Sequence, residues 1–166
     1  MDERQSIRLV VNGKTVTATV EPRMHLIDFL RDELQIKGAR AGCEHGVCGA
    51  CTIRLNDQMV RGCLVLAVCA ANCTVETIEG ASDRGDLAEL QAAFHAHNAL
   101  QCGFCTSGML IAASELVATR PSATREEIRE FMSGNYCRCT GYQAIVDAIE
   151  DVLQARSANH LGAQQC

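Results

Sequence analysis

Eight of the eleven cysteines fall into two groups of four. The first group, spaced C-x4-C-x2-C-x11-C, consists of Cys43, Cys48, Cys51 and Cys63. The second group, spaced C-x2-C-x31-C-x-C, consists of Cys102, Cys105, Cys137 and Cys139. Clustered thiols in a reducing compartment act as metal ligands or redox centres more often than they form disulfides. The two groups are therefore the candidate sites for chemistry.

The first three cysteines of the first group have the spacing of plant-type [2Fe-2S] ferredoxins. Their loop also contains Gly42, Gly46 and Gly49, which let backbone N–H groups approach a bound anion and allow positive φ angles. The alternative is a four-cysteine zinc site. Such sites are usually built from two C-x(2–4)-C pairs without a glycine-rich loop, so the spacing favours iron-sulfur over zinc here.

Each cysteine pair of the second group precedes a predicted helix, one beginning at Thr106 and the other at Thr140. Helix N-termini present free N–H groups and partial positive charge, which favour a bound anion. The C-x-C spacing is poor for zinc, yet taken alone this group leaves zinc and iron-sulfur equally open. The surplus thiols, interpreted as small buried hydrophobes or a tail thiol, are Cys69, Cys73 and Cys166.

The composition of the chain excludes several classes of protein. The 166 residues are 48% hydrophobic, lack Trp and carry a formal charge of -5 without a basic stripe, which speaks against nucleic acid as a partner. The sequence contains no run of 18 apolar residues, so it predicts no membrane-spanning helix, and the first residues do not resemble a signal peptide. We expect a cytoplasmic protein whose partners are other proteins.

The first 80 residues predict a β-rich half with one main helix. Alternating β-branched residues on either side of Asn12-Gly13 indicate a hairpin with strands near 7–11 and 15–20. A helix is expected within "HLIDFLRDEL", and later strands within "CTIRL", "MVR" and "TVETIE". This half forms the first predicted domain, residues 1–80.

Small and charged residues at 81–86 predict a linker, and the pattern after it is helical. Thr124 and Glu127 form a capping box that opens the third predicted helix. The four predicted helices lie at 87–97, 106–120, 124–134 and 142–155. We expect a four-helix domain over 87–156 and a flexible tail over 157–166, so the fold class is α+β.

The motifs "GCEHGVCGAC", "LQCGFCTSGM" and "GNYCRCTGY", in this order, resemble those of the small iron-sulfur subunit of the molybdenum hydroxylases, the xanthine oxidase family. The resemblance extends from Ile7 to Leu153. It implies a β-grasp ferredoxin-like N-terminal domain that binds one [2Fe-2S] cluster and an all-α four-helix domain that binds another. All eight grouped cysteines would then be cluster ligands.

The same resemblance implies an electron-transfer role within a larger oxidoreductase. Electrons would pass from a molybdenum pterin cofactor on a large catalytic subunit to the cluster held by the second cysteine group. From there they would pass to the cluster held by the first group and then to FAD on a medium subunit. Gln101 and the sulfur of Cys139 would contact the pterin. The expected assembly is a dimer of heterotrimers, and the expected substrate is an aromatic N-heterocycle, with aldehydes, purines and carbon monoxide as alternatives.

Two other functions stay open at this point. A free-standing two-cluster ferredoxin would be a stable monomer, and a zinc-stapled interaction module would be colourless. His97 is interpreted as a packed or interface residue and His95 as a solvent-facing one, rather than as metal ligands or proton relays.

Overall fold

The structure is a computed structural model that describes residues 4–163, and the side chains of residues 4–159. A mixed sheet occupies the first part of the chain and a set of helices the second. The predicted α+β class is therefore confirmed. No helix among the described residues combines the length and apolar character needed to span a bilayer.

In the described part of the chain, five strands form one sheet in the order β2-β1-β5-β3-β4. They are β1 Gln5–Val11, β2 Lys14–Val20, β3 Thr52–Leu55, β4 Gln58–Arg61 and β5 Thr74–Glu76. Strands β1 and β5 are parallel, and the other neighbours are antiparallel. The predicted hairpin is confirmed: Asn12 and Gly13 both have positive φ, 49° and 78°, as the favoured two-residue turn requires.

Six α-helical segments accompany the sheet within residues 4–163. They are α1 Leu26–Asp28, which continues as a π-helical turn over Phe29–Glu33, then α2 Ile78–Asp83, α3 Ala88–Ala96, α4 Thr106–Thr119, α5 Arg125–Met132 and α6 Gln143–Ala163. The capping box at α5 is present: Thr124 accepts from the backbone N–H of Glu127, whose carboxylate accepts from the backbone N–H of Thr124. Short 3-10 turns lie at Gly62–Leu64 and Ala67–Ala70.

Residues 81–86, predicted as a linker, overlap the end of α2, which continues to Asp83. Ala81 is fully buried in the helical core. The side-chain amide of Asn12 donates to Thr77 Oγ1 at 2.9 Å and its carbonyl accepts from the backbone N–H of Thr77 at 2.9 Å, immediately before the helix. This tertiary contact holds the first turn of α2 in place, which the small and polar residues of the helix alone would not predict.

The last helix also differs from the expectation at both ends. Gly141 and Tyr142 have left-handed φ angles of 64° and 69°, so α6 begins at Gln143, one residue after the expected range and three residues after Thr140. The helix continues past the predicted end near residue 155. The tail predicted to be flexible from residue 157 is therefore helical as far as Ala163.

Two apolar cores lie on either side of the contact between sheet and helices. The sheet, α1 and the 3-10 turns enclose one core, which includes Leu9, Phe29 and Ile53. Helices α2 to α6 enclose the other, centred on α4, and α4 also packs against β3 and β4. The cysteine groups lie close to this contact.

Candidate metal centres

The structure brings the four cysteines of the first group together from three segments. Cys43 and Cys48 lie in the glycine-rich loop, Cys51 directly precedes β3, and Cys63 lies in the 3-10 turn after β4. The Sγ atoms of Cys51 and Cys63 are 3.3 Å apart. The backbone N–H of Cys48 donates to the Sγ of Cys43 at 3.3 Å, and the two side chains also interact.

The glycine-rich loop favours the thiolate form of its first cysteine. Backbone N–H groups of Cys48 and His45 lower the pKa of Cys43 to about 6, because they stabilise the negative sulfur. Burial instead raises the pKa of Cys51 to about 11. A Cβ atom at Gly42 would lie 3.0 Å from the Sγ of Cys48, so glycine keeps space beside that thiol.

The second group converges around the start of α4 and the loop before α6. The Sγ atoms of Cys102 and Cys139 are 3.5 Å apart. Cys105, at the N-cap of α4, interacts through its side chain with Cys137. The hydroxyl of Thr140 donates to the Sγ of Cys137 at 3.2 Å.

Hydrogen bonding and burial also shift the thiol pKa values of the second group in opposite directions. The backbone N–H of Phe104 lowers the pKa of Cys102, whereas burial raises the pKa of Cys105 to about 12. Partial burial acts to raise the pKa of Cys137, but hydrogen bonds from Thr140, from the backbone of Cys139 and from the side chain of Cys105 together make the net shift downward. In each group, backbone N–H groups thus lower the pKa of one thiol, Cys43 or Cys102, while burial raises the pKa of another, Cys51 or Cys105.

The eight thiols lie in four pairs. The pairs are Cys43 with Cys48, Cys51 with Cys63, Cys102 with Cys139, and Cys105 with Cys137. Within the described part of the chain, no three Cys, His, Asp or Glu side chains are arranged around the position of a single ion. Paired thiols suit a binuclear iron-sulfur cluster, because each of its two irons takes two protein ligands.

A backbone hydrogen bond joins the two cysteine groups. The N–H of Tyr136 donates to the carbonyl oxygen of Cys48 at 2.8 Å. Because Tyr136 directly precedes Cys137, a cysteine of one group is connected to a cysteine of the other by a few backbone bonds and this one hydrogen bond.

Sequence reasoning missed three polar residues beside this contact. Asn135 and Thr52 are 2% and 1% exposed, and Arg61 reaches both of them. The position of Asn135, two residues before Cys137, was visible in the sequence. Its burial was not, because it depends on contacts with the distant glycine-rich loop.

The remaining candidates lie outside the thiol pairs. Gln101 is exposed, and its side-chain amide donates to the carbonyl oxygen of Cys139 at 3.1 Å. His97 lies 2.5 Å from a carboxylate oxygen of Asp151, and His95 is exposed as expected.

Of the surplus cysteines, Cys69 is exposed and Cys73 is partly buried. The interpretation of Cys69 as a buried hydrophobe is therefore wrong. Cys166 lies outside the described residues.

Known families match both parts of the chain. The family described as "2Fe-2S iron-sulfur cluster binding domain" matches residues 9–102, and the family described as "[2Fe-2S] binding domain" matches residues 77–150. Together they include all eight grouped cysteines.

Similar proteins match almost the whole chain. The small subunit of nicotine 6-hydroxylase from Paenarthrobacter nicotinovorans is 50% identical over 149 residues, which cover 90% of each chain. The gamma subunit of caffeine dehydrogenase from Pseudomonas sp. (strain CBB1) is 48% identical, covering 88% of this chain and 89% of that one.

A solved structure, quinoline 2-oxidoreductase from Pseudomonas putida 86, superposes with a TM-score of 0.85 at 47% identity, covering 95% of this chain and 98% of the matched chain. The same fold and a similar length are therefore shared with an experimental structure. The chain belongs to the small iron-sulfur subunits of the xanthine oxidase family of molybdenum hydroxylases.

Proposed function

We propose that this chain is the non-catalytic electron-transfer subunit of a molybdenum hydroxylase. It relays electrons from a molybdenum pterin cofactor on a large catalytic subunit to FAD on a medium subunit. The observation that carries the proposal is the convergence of eight thiols into four pairs, in a chain about half identical to small subunits of such enzymes.

The donor sets fit two [2Fe-2S] clusters. The thiols of Cys43, Cys48, Cys51 and Cys63 would hold one, and those of Cys102, Cys105, Cys137 and Cys139 the other. A bound cluster supplies one-electron oxidation and reduction. The backbone N–H groups around Cys43 and Cys102, and the N-terminus of α4 at Cys105, stabilise negative charge at these positions.

The substrate we propose is an aromatic N-heterocycle. The relatives act, by their names, on nicotine and caffeine, and the matched structure is a quinoline oxidoreductase. An aldehyde is the second choice, because an aldehyde oxidoreductase subunit of Escherichia coli is only 40% identical.

Gln101 and Cys139 are the proposed contacts to the pterin. The two residues are exposed on the same surface, and the amide of Gln101 is oriented by its hydrogen bond to the carbonyl oxygen of Cys139. Cys139 is itself exposed, so a partner subunit can reach it.

Exposed apolar residues favour a subunit over a free-standing ferredoxin. The large apolar side chains that stay exposed among the described residues all lie near the cysteines: Val47, Leu64, Leu100, Phe104, Tyr136 and Tyr142. Such a patch is typical of a surface that a partner covers. The zinc-stapled module is not favoured either, because the thiols are paired and the relatives are redox enzyme subunits.

We propose a β-grasp ferredoxin-like domain over residues 1–80 and a four-helix domain over 87–156. The two apolar cores support this division, since one spans Ile7 to Val75 and the other Ala81 to Leu153. We propose also that the complex is a cytoplasmic dimer of heterotrimers, the arrangement that the resemblance implies.

Substitution of one ligand tests the proposal. In the complex purified from its host, Cys63→Ser should lower iron and acid-labile sulfide from about four to about two of each per chain. It should also remove one of two EPR signals after dithionite reduction. Cys69→Ser is the matched control, because this exposed thiol belongs to neither group. Full iron content in Cys63→Ser, or equal losses in both variants, would contradict the assignment.

A further inference from the structure

A buried amide connects the two cysteine groups. Asn135 lies in the turn between α5 and α6, and its side chain is almost fully enclosed. Its Nδ2 donates to the carbonyl oxygen of Gly49 at 3.1 Å and approaches Thr52 Oγ1 at 3.4 Å. The side chain thus reaches from the helical part of the chain into the glycine-rich loop, one residue after Cys48.

Arg61 completes this connection from β4. Its Nη2 donates to the carbonyl oxygen of Gly134 at 2.7 Å and to Oδ1 of Asn135 at 3.2 Å, while its Nη1 donates to Thr52 Oγ1. A planar guanidinium with several donors in fixed directions holds all three acceptors in one geometry. We call Asn135, Arg61 and Thr52 the polar clamp.

The backbones at the polar clamp are in close contact. A Cβ atom at Gly49 would lie 2.7 Å from the side-chain amide of Asn135 and from the carbonyl oxygen of Gly134. The hydrogen bond from the N–H of Tyr136 to the carbonyl oxygen of Cys48 lies directly beside these contacts. The polar clamp therefore restrains the hydrogen bond that connects the two cysteine groups.

We propose that Asn135 and Arg61 are positioning residues that fix the separation and relative orientation of the two cluster sites. The inference rests on the proposed function. Electron transfer between two centres slows steeply as their separation grows, so a complex that depends on it benefits from a rigid contact. The oxygen and the nitrogen of the buried Asn135 amide both form hydrogen bonds. Because hydrogen bonds depend on direction, they restrain the relative orientation of the groups that they join more strongly than apolar packing does.

Two variants and one control test the polar clamp in the complete complex. Asn135→Ala removes the buried amide, and Arg61→Lys keeps the positive charge but not the forked geometry. Ser114→Ala is the control: it removes the 2.7 Å acceptor of Arg54, a contact between β3 and α4 that involves neither cysteine loop. The readouts are iron content, amide hydrogen exchange of the peptide containing Tyr136, and the magnetic interaction between the two reduced centres in EPR spectra.

We expect both clamp variants to retain iron, to exchange the Tyr136 amide roughly tenfold faster, and to show an altered magnetic interaction, whereas Ser114→Ala resembles the wild type. An unchanged magnetic interaction in an iron-replete variant would overturn the proposal, even if its melting temperature fell. If Asn135→Ala does not fold, Arg61→Lys decides. Absence of iron and sulfide from the wild type would instead refute the proposed function, and hydrogen exchange would still report on the clamp.

Discussion

A Cβ atom at Gly108 would lie 2.3 Å from the carbonyl oxygen of Gly49. Gly108 belongs to the first turn of α4, and Gly49 follows Cys48 in the glycine-rich loop. The two cysteine groups are therefore held together by direct backbone packing as well as by hydrogen bonds. Only glycine at position 108 permits this approach, since the atom opposite is part of a backbone that cannot rotate away.

Gly108→Ala should lower the free energy of unfolding by about 2–3 kcal/mol, because the new methyl group overpacks a rigid contact. It should also speed hydrogen exchange at Tyr136. Gly13→Ala is the control: its φ of 78° is strained for alanine, but nothing lies within 4 Å of the new methyl group. Chemical denaturation and hydrogen exchange together separate the two variants, and protection of Tyr136 that is equal in both would contradict the account.

Cys43→Ala should interrupt electron flow without stopping chemistry at the molybdenum centre. In stopped-flow experiments on the purified complex, substrate should still reduce molybdenum while flavin bleaching is lost, because Cys43 belongs to the group assigned next to the flavin subunit. Cys73→Ala changes a partly buried thiol outside both groups and should behave as wild type. Normal steady-state turnover of Cys43→Ala would refute the proposed relay of electrons through this cluster.

Thr124→Ala should destabilise α5 by about 1 kcal/mol, because the helix loses its N-cap acceptor. Ser122→Ala, two residues earlier and outside the capping box, serves as the control. Chemical denaturation at pH 7 measures the difference. Equal stability of the two variants would show that the capping box is unimportant for this helix.

Glu127 makes the same capping box sensitive to acid. The backbone N–H and the hydroxyl of Thr124 hold the pKa of Glu127 below its usual 4.5. A lowered folded-state pKa means that its stabilising contribution is complete above pH 4.5 and is lost as the pH falls through the folded-state value. The stability difference between wild type and Glu127→Gln should therefore be constant from neutral pH down to about pH 5.5 and shrink below about pH 4.5. A difference that grows on acidification would contradict this sign.

Local signals in the sequence predicted the elements that depend on local chemistry. The Asn12-Gly13 turn and the Thr124–Glu127 capping box both satisfy their own backbone groups, so their residues are sufficient to recognise them. The cysteine spacing likewise identified the members of both thiol groups, which the structure then arranges in pairs.

Features that depend on distant contacts were not predictable in this way. The sequence predicts a linker over 81–86 because the residues there are small and charged, yet 81–83 form the end of α2 and Ala81 is buried in the helical core. The polar clamp is not predictable from the sequence for the same reason: Asn135 and Arg61 are 74 positions apart, and neither residue is unusual by itself.

The central claim is that this chain carries two iron-sulfur centres within a molybdenum hydroxylase. Its most direct test is metal and acid-labile sulfide analysis of the complex purified anaerobically from its host, with EPR after dithionite reduction. The account predicts about four iron and four sulfide per chain, two distinct rhombic signals, and co-purifying molybdenum and flavin. About two zinc ions per chain with no sulfide would contradict it.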